Sequence, residues 1–165
     1  MLLFEKIQKI RLESNPEDWQ NENFLKSLRQ IENRAKSEVL KMIKNNNLKT
    51  SDDFLRAGDI FHHGNTSSEY MLAAALNALS MHLGEPWAKN HYAVAIDRLF
   101  LSLGLPQYFG SQYIKRNGKW VLDKYNKKTA DKERLKYTIE PLRLLKKRAE
   151  DIEKGITSRE FLSED

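Results

Sequence analysis

The sequence has no cysteine, no long apolar run and few residues that break helices. Without cysteine, the chain can form no disulfide, no thiolate metal site and no cysteine nucleophile. Seven glycines and four prolines among 165 residues do not suggest a linker-rich or all-β protein. No stretch is long and apolar enough to predict a membrane span. Any catalysis must therefore use other groups, and no membrane partner is expected.

Charged residues of both signs fill much of the chain. There are 28 lysines and arginines and 23 aspartates and glutamates, which give a formal net charge of +5. Because the two signs are interleaved, as on solvated helix faces, this excess permits acidic partners without requiring them. The first residues carry charge almost at once and do not resemble a secretory signal, so a cytoplasmic location is the default expectation. A signal removed from the chain would leave no trace in the sequence.

The length of the chain suits one folding unit. A chain of 165 residues can bury a real core without disulfides or metal. We expect a single helical domain over residues 1–155 and a flexible C-terminal tail over residues 156–165. The expected fold class is mainly α, an antiparallel bundle of helical hairpins with tetratricopeptide-like packing, although no copy of the pattern recurs at a fixed spacing.

Apolar residues at helical spacing predict several amphipathic helices. Two of the helix starts carry a capping pattern, in which a threonine precedes an acid by three residues: Thr50 with Asp53, and Thr66 with Glu69. The predicted helices cover about residues 16–43 in one or two segments, then 50–64, 67–83, 85–104, 131–136 and 140–154, the last of them ended by Gly155. Short loops between them favour antiparallel neighbours.

Residues 113–122 change to the pattern of a small β-hairpin. Asn117-Gly118 is a strong signal for a tight type I′ turn between Tyr113–Arg116 and Lys119–Leu122. Basic and aromatic residues lie together on and after this hairpin, which could place it on nucleic acid or on an acidic protein surface. Lysines also protect exposed strand edges from aggregation, and this interpretation is favoured over nucleic-acid binding.

The most unusual stretch combines charge and amides in an apolar setting. Asp97 and Arg98 interrupt an otherwise apolar helix, and Gln107, Ser111 and Gln112 follow in a loop bounded by glycines. Burying any such group without a partner costs on the order of 1–3 kcal/mol. These side chains must therefore pair with each other, with the backbone or with a ligand.

Three motifs in this order resemble a bacterial family called domain of unknown function 6624. They are His63-Gly64, Asp97-Arg98 and the segment 104–112, Gly-Leu-Pro-Gln-Tyr-Phe-Gly-Ser-Gln. The resemblance covers roughly residues 53–150, and Ser111 stands where the family pattern has threonine, which preserves a hydroxyl. His62 stands where glutamine is usual. The resemblance implies a shared site but no named reaction.

Physical chemistry assigns trial roles to these side chains. His63 can act as general acid or base near neutral pH, and Arg98 can hold a carboxylate or phosphate through its planar fork. Asp97 can orient His63 or balance Arg98. The candidate catalytic residues are His63, Asp97 and Arg98, and the candidate ligand-binding residues are His62, Gln107, Tyr108, Ser111 and Gln112.

A structural role is the alternative for the same residues. Asp97 and Arg98 would then form buried pairs, His63 would cap a helix, and the glutamines would tie the loop to the helices. The spacing of the four histidines matches no metal-binding motif, and no phosphate-binding glycine loop is present. The sequence therefore predicts neither a metal nor a cofactor.

Two functions from different classes stay open on these observations. The favoured one is a polar cleft that binds a small polar or anionic ligand, between the helix ending at His63 and the segment from Asp97 to Gln112. Acid–base hydrolysis or group transfer is the chemistry that such side chains support. The alternative is a non-catalytic helical module that binds a protein partner. The sequence does not decide whether the chain is an enzyme, and it leaves the oligomeric state open.

Overall fold

The computed structural model describes residues 2–15 and 17–154, and this part of the chain is mainly helical. The α-helices are α1 (Leu2–Glu13), α2 (Glu22–Lys44), α3 (Ser51–His62), α4 (Ser67–His82), α5 (Ala88–Ser102), α6 (Asp131–Lys136) and α7 (Leu142–Glu153). A 3₁₀ turn covers Asp18–Gln20, and two strands, β1 (Tyr113–Arg116) and β2 (Lys119–Leu122), form a hairpin. The predicted fold class, helices with one small hairpin, is confirmed.

Four finer expectations are not decided by these elements. The predicted tail over residues 156–165, and the stop at Gly155, lie outside the described residues. The single domain over 1–155 and the tetratricopeptide-like packing stay predictions. Within the described residues, no helix combines the length and the apolar character needed to cross a membrane.

Helix α1 has no counterpart in the sequence analysis. Its apolar residues Phe4, Ile7 and Ile10 follow helical spacing, and Ile7 is buried. Charged residues fill the positions between them. The helix packs along α2, where Arg11 Nη2 donates to Glu32 Oε1 at 2.7 Å. This contact brings a basic residue from the start of the chain beside α3.

Both predicted capping boxes are present, and they fix where α3 and α4 begin. Thr50 Oγ1 accepts from the backbone N–H of Asp53 at 3.1 Å, and Thr66 Oγ1 accepts from that of Glu69 at 3.2 Å. In each case the acidic side chain bonds back to the threonine N–H. Because its first turn is irregular, α5 begins only at Ala88, later than predicted from the proline at 86.

The main core lies between α3, α4 and α5, which pack in sequence against one another. Small residues allow this close packing: Ala57, Ala73 and Ala95 are almost fully buried. Gly58 marks the closest approach, because a Cβ atom there would lie 2.7 Å from Nδ2 of Asn77 on α4. The side chains at the carboxyl end of α3 are thereby held at a fixed distance from the neighbouring helix.

A second core joins α5 to the chain after it. Buried Ala93, Phe109, Ile139 and Leu145 form this cluster. The hairpin packs beside it, with β2 against α7. Its turn has the predicted form, because Asn117 and Gly118 both have positive φ, 51° and 79°. Because Phe109 belongs to this core together with Ala93, the segment 103–112 is held beside α5.

Candidate functional site

Asp97 is fully buried and holds the loop that follows α5. Its two carboxylate oxygens accept from the backbone N–H groups of Phe109, Gly110 and Ser111, each at 2.8 Å. The hydroxyl of Ser111 donates to the same carboxylate at 2.8 Å. Burial raises the pKa of Asp97, and these four hydrogen bonds oppose the rise. The bonds support the structural alternative for this residue, since its oxygens point to the loop and not to His63 or Arg98.

Gln107 has the same structural character. Its side chain is fully buried, and its Oε1 accepts from the backbone N–H of Gln112 at 2.8 Å. Its Nε2 donates to the carbonyl oxygens of Gln112 and Asp123 at 2.9 and 3.2 Å. The amide thereby ties the loop to the end of β2. Every polar atom of Gln107 has a protein partner, so none is left for a ligand.

Arg98 joins this loop to the end of α3. Its Nε donates to Oε1 of Gln112 at 3.0 Å, and its Nη1 donates to the backbone carbonyl of His62. The amide nitrogen of Gln112 then donates to Ser111 Oγ at 2.9 Å, which connects Arg98 indirectly to Asp97. In the described part of the chain, no ion pair joins Arg98 to a carboxylate. Its partners are neutral oxygen atoms.

Three histidines surround a buried aspartate at the end of α3. Oδ1 of Asp59 lies 3.6 Å from Nδ1 of His91 and 4.0 Å from Nε2 of His63. The ring centroid of His62 lies 5.0 Å from that of His63 and 5.8 Å from that of His91. We call these four residues the histidine cluster. It is built by one turn of α3 together with the first turn of α5.

Burial and positive charge keep two of these histidines neutral. Burial lowers the pKa of His62 well below its ordinary value, and the nearby charge of Arg98 lowers it further. Burial and then the charge of Arg11 lower the pKa of His63 to about 2. The pKa of Asp59 is raised by burial, against the opposing effect of His91. At neutral pH, His62 and His63 are therefore neutral, and their lowered pKa values make both imidazoles weak bases.

Helix α1 adds two residues to the cluster. Gln8 Nε2 donates to Oδ2 of Asp59, so one carboxylate oxygen has a firm partner. Arg11 contributes a guanidinium group of which only Nη2 is paired, with Glu32. Its Nε and Nη1 are buried without a hydrogen-bond partner, and so is Nδ1 of His62. Unsatisfied buried polar atoms of this kind are costly in a folded protein, which makes them candidates for binding a ligand.

The sequence-predicted residues are only partly brought together. His62, His63, Arg98 and Gln112 lie together at the end of α3. Asp97, Gln107 and Ser111 lie behind them as support. Tyr108 belongs elsewhere, because its side chain lines an aromatic cavity on another side of α5.

Four residues of the site are missed by the sequence analysis: Gln8, Arg11, Asp59 and His91. Asp59 and His63 are four residues apart on a predicted helix, and this spacing alone indicates a shared face. His91 lies on another helix with no spacing motif to His62, and only the packing of α5 on α3 brings the two rings together. Gln8 and Arg11 lie on the unpredicted α1.

The structure also bears on metal binding. Among the described residues, no group of three or more histidine, aspartate or glutamate side chains has an arrangement that could hold a metal ion. The three histidine rings have different orientations around Asp59, with interplanar angles of 79° and 48° for the two ring pairs.

Comparison with known proteins gives no further guide. A scan against protein-family models, a search of curated proteins and a search of solved structures each find no match to this chain. The resemblance to the bacterial family therefore stays a prediction.

Proposed function

We propose that the histidine cluster, together with Arg11 and Arg98, binds a small anionic ligand. The observation that carries this proposal is the state of Arg98, a largely buried cation whose hydrogen bonds go only to neutral oxygens. A buried cation is most stable beside an anion, because burial penalises unpaired charge. A carboxylate or phosphate would supply that charge, and the planar guanidinium suits both.

The state of Arg11 supports the same sign of ligand. Two of its three guanidinium nitrogens, Nε and Nη1, are buried without hydrogen-bond partners, and the third, Nη2, is paired with Glu32. The charges of Arg11 and Arg98 both act on His63, which places the imidazole in a positive environment. A ligand anion there would gain from both cations.

His63 is the group best placed for proton transfer. Its side chain is 36% exposed, so a ligand can reach it, whereas His62 is buried. The neutral imidazole is a weak base while burial and the charges of Arg11 and Arg98 lower its pKa, and it can take a proton from water or from a ligand hydroxyl group once a bound anion offsets those charges. An anion bound near Arg98 would raise the pKa of His63 and make it a stronger base. Hydrolysis or group transfer on an anionic substrate is the reaction class that this arrangement supports.

The first test is ligand-induced stabilisation. Wild-type protein is heated with inorganic phosphate, and then with each member of a library of small carboxylates and phosphate esters. A ligand at about a hundred times its Kd is expected to raise the Tm by roughly 5–10 °C. Arg98→Lys keeps the charge but loses the two-pronged guanidinium, and it should lose most of this rise. Arg143→Lys, on the exposed face of α7, is the matched control and should keep it. If no anion shifts wild type, or if Arg98→Lys keeps the full rise, the proposal fails.

A second test separates binding from chemistry. His63→Gln keeps a hydrogen-bonding side chain but removes the proton acceptor. With a ligand from the first screen offered as substrate, it should bind with similar affinity and turn over at least a hundredfold more slowly. The control is His82→Gln at the exposed end of α4. Equal turnover in both variants would show that His63 takes no part in catalysis.

The protein-interaction alternative has one observation in its favour. Met71 and Leu79 lie on one side of α4 and are 60% and 47% exposed. Leu83, which directly follows the helix, is 50% exposed. Apolar side chains grouped on a helix face are typical of helix-mediated contacts. A Leu79→Glu variant that keeps its Tm but loses a protein partner that co-purifies with wild type would favour this function over the anion site.

A further inference from the structure

An aromatic cavity lies beside α5, away from the histidine cluster. Its volume is about 260 Å³, and the aromatic side chains that line it are Tyr92, Phe100, Tyr108, Phe109 and Tyr137. This volume is slightly below the range usual for sites of drug-sized ligands, roughly 300–1,000 Å³. The cavity therefore suits a smaller molecule.

The two sites use different sides of the same helix. Tyr92, Ile96 and Phe100 follow one another at steps of four along α5, so they share one side of it. His91 and Arg98 are seven residues apart and share another side, next to α3. A ligand in the aromatic cavity would not contact the histidine cluster, and the inference below does not depend on the proposed function.

The rings form a framework with several orientations. Tyr137 stacks on Tyr92 with 5.6 Å between the ring centroids. The centroids of Tyr137 and Phe109 are 5.0 Å apart, and the two rings are tilted by 56°. Tyr108 meets Phe109 edge to face at 4.8 Å. The rings that line the cavity are thus set at different angles to one another. Such an arrangement is typical of aromatic cages that hold cations against the negative faces of the rings.

Among the residues that the structure describes, the one charged side chain lining the cavity is acidic. Oε2 of Glu133 is buried, and it lies 2.7 Å from the ammonium group of Lys136. The pKa of Lys136 is raised first by this carboxylate and, more weakly, by the phenol groups of Tyr137 and Tyr108. The side chain of Lys136 is itself 64% exposed. A cation of the chain thus already pairs with the cavity's carboxylate, on a side chain that is largely exposed.

We propose that this cavity binds a small organic cation, with its ammonium group beside Glu133 in place of Lys136 and its carbon groups against the tyrosine and phenylalanine rings. Quaternary ammonium compounds are the expected class, because they combine a positive charge with an apolar surface and lose little hydration on entering. The carboxylate selects charge, and the rings select a compact apolar shape.

The test compares two ligands of the same shape. Choline is titrated into the full chain against 3,3-dimethylbutan-1-ol, which replaces the quaternary nitrogen with carbon and has no charge. Binding is followed by NMR through the backbone amides of Tyr92, Tyr108 and Tyr137, with sodium chloride keeping the ionic strength constant. Choline should bind about tenfold more tightly than the neutral compound. If neither compound shifts these amides, or if both bind equally, the proposal is overturned.

Two variants, one at each member of the Glu133–Lys136 pair, give opposite expectations. Glu133→Gln removes the carboxylate and should weaken choline binding about tenfold, whereas Lys136→Gln removes the competing cation and should tighten it severalfold. Lys132→Gln, on the same short helix, is the matched control and should change nothing. All three changes are conservative, and an unchanged Tm would show that folding is intact. Changes of the same sign in Glu133→Gln and Lys136→Gln would contradict the proposed place of the ammonium group.

Discussion

Two buried aspartates in this protein have opposite surroundings. Asp97 is 0% exposed and accepts four hydrogen bonds, all from the loop at 109–111. Asp59 is 6% exposed and has one amide donor, with the His91 and His63 nitrogens farther away at 3.6 and 4.0 Å. A carboxylate with all its acceptor positions used serves the fold. One with loosely placed titratable neighbours keeps the freedom that chemistry requires.

The largest effect should come from exchanging these carboxylates for amides. Asp97→Asn places an NH₂ group among N–H donors, and it should lower the free energy of unfolding by about 3–5 kcal/mol. Asp59→Asn keeps an acceptor for Gln8 and removes a buried charge, so its cost should stay below about 1 kcal/mol. Urea unfolding of both variants measures the difference. Equal losses in the free energy of unfolding would show that both aspartates stabilise the fold to the same extent.

Gln107 extends the structural side of the comparison. Gln107→Met keeps the volume but loses three side-chain hydrogen bonds and leaves their partners unsatisfied, so about 2–3 kcal/mol of stability should be lost. Hydrogen exchange of the Gln112 amide should quicken in the variant. Gln30→Met on the exposed face of α2 is the control, and it should change neither quantity.

The histidine side of the comparison should appear as a dependence on pH. Because the pKa values of His62 and His63 in the folded state lie below the ordinary 6.5, the unfolded chain binds more protons below that pH. The contribution of these histidines to the free energy of unfolding should therefore be fully present above pH 6.5. It should fall as the pH drops toward 5, by about 1 kcal/mol per pH unit for buried His62. Partly exposed His63 should contribute less. The raised pKa of Asp59 acts with the opposite sign at lower pH.

Urea midpoints at pH 5 and pH 7.5 measure this slope. His62→Gln should flatten it, whereas His82→Gln on the surface should leave it as steep as in wild type. A wild-type slope of zero would mean that the histidines are protonated freely in the folded protein.

The smallest effect concerns the hydroxyl that joins Asp97 to Gln112. Ser111→Ala removes one hydrogen bond to each, and it should cost about 1 kcal/mol. Ser111→Thr carries the residue of the family pattern and keeps the hydroxyl, so its stability in thermal unfolding should lie nearer to wild type. If the threonine variant is as unstable as the alanine variant, the loop does not accept the family residue, and the resemblance loses support.

Local signals predicted most of the fold. The threonine caps at 50 and 66 and the Asn117-Gly118 turn each depend on a few neighbouring residues, and each lies where the sequence places it. Helix α1 is not predicted, although Phe4, Ile7 and Ile10 give a local signal of helical spacing. How the helices pack depends on distant parts of the chain, and the tetratricopeptide-like arrangement stays a prediction.

The site was predictable only in part, and the reason is the same. The polar residues after α5 stand out because amides and charges are rare in apolar surroundings, and the structure gives them dense hydrogen bonds. The sequence does not show which of them face a ligand. Asp59 and His91 belong to different helices, and only tertiary packing makes them neighbours. Spacing along the sequence does not indicate which residues of different helices become neighbours in the fold.

The close approach of Gly58 to Asn77 sets the distance between α3 and α4 at a place that no ligand of the site would contact. Gly58 directly precedes Asp59, and even a methyl group there would force α3 away from α4 or displace the Asn77 side chain. A shift of α3 by a few tenths of an ångström would move Asp59, His62 and His63 together. Arg98 and the loop after α5 would keep their positions. Natural variation at position 58 could thus retune the affinity of the site while all of its functional side chains stayed the same.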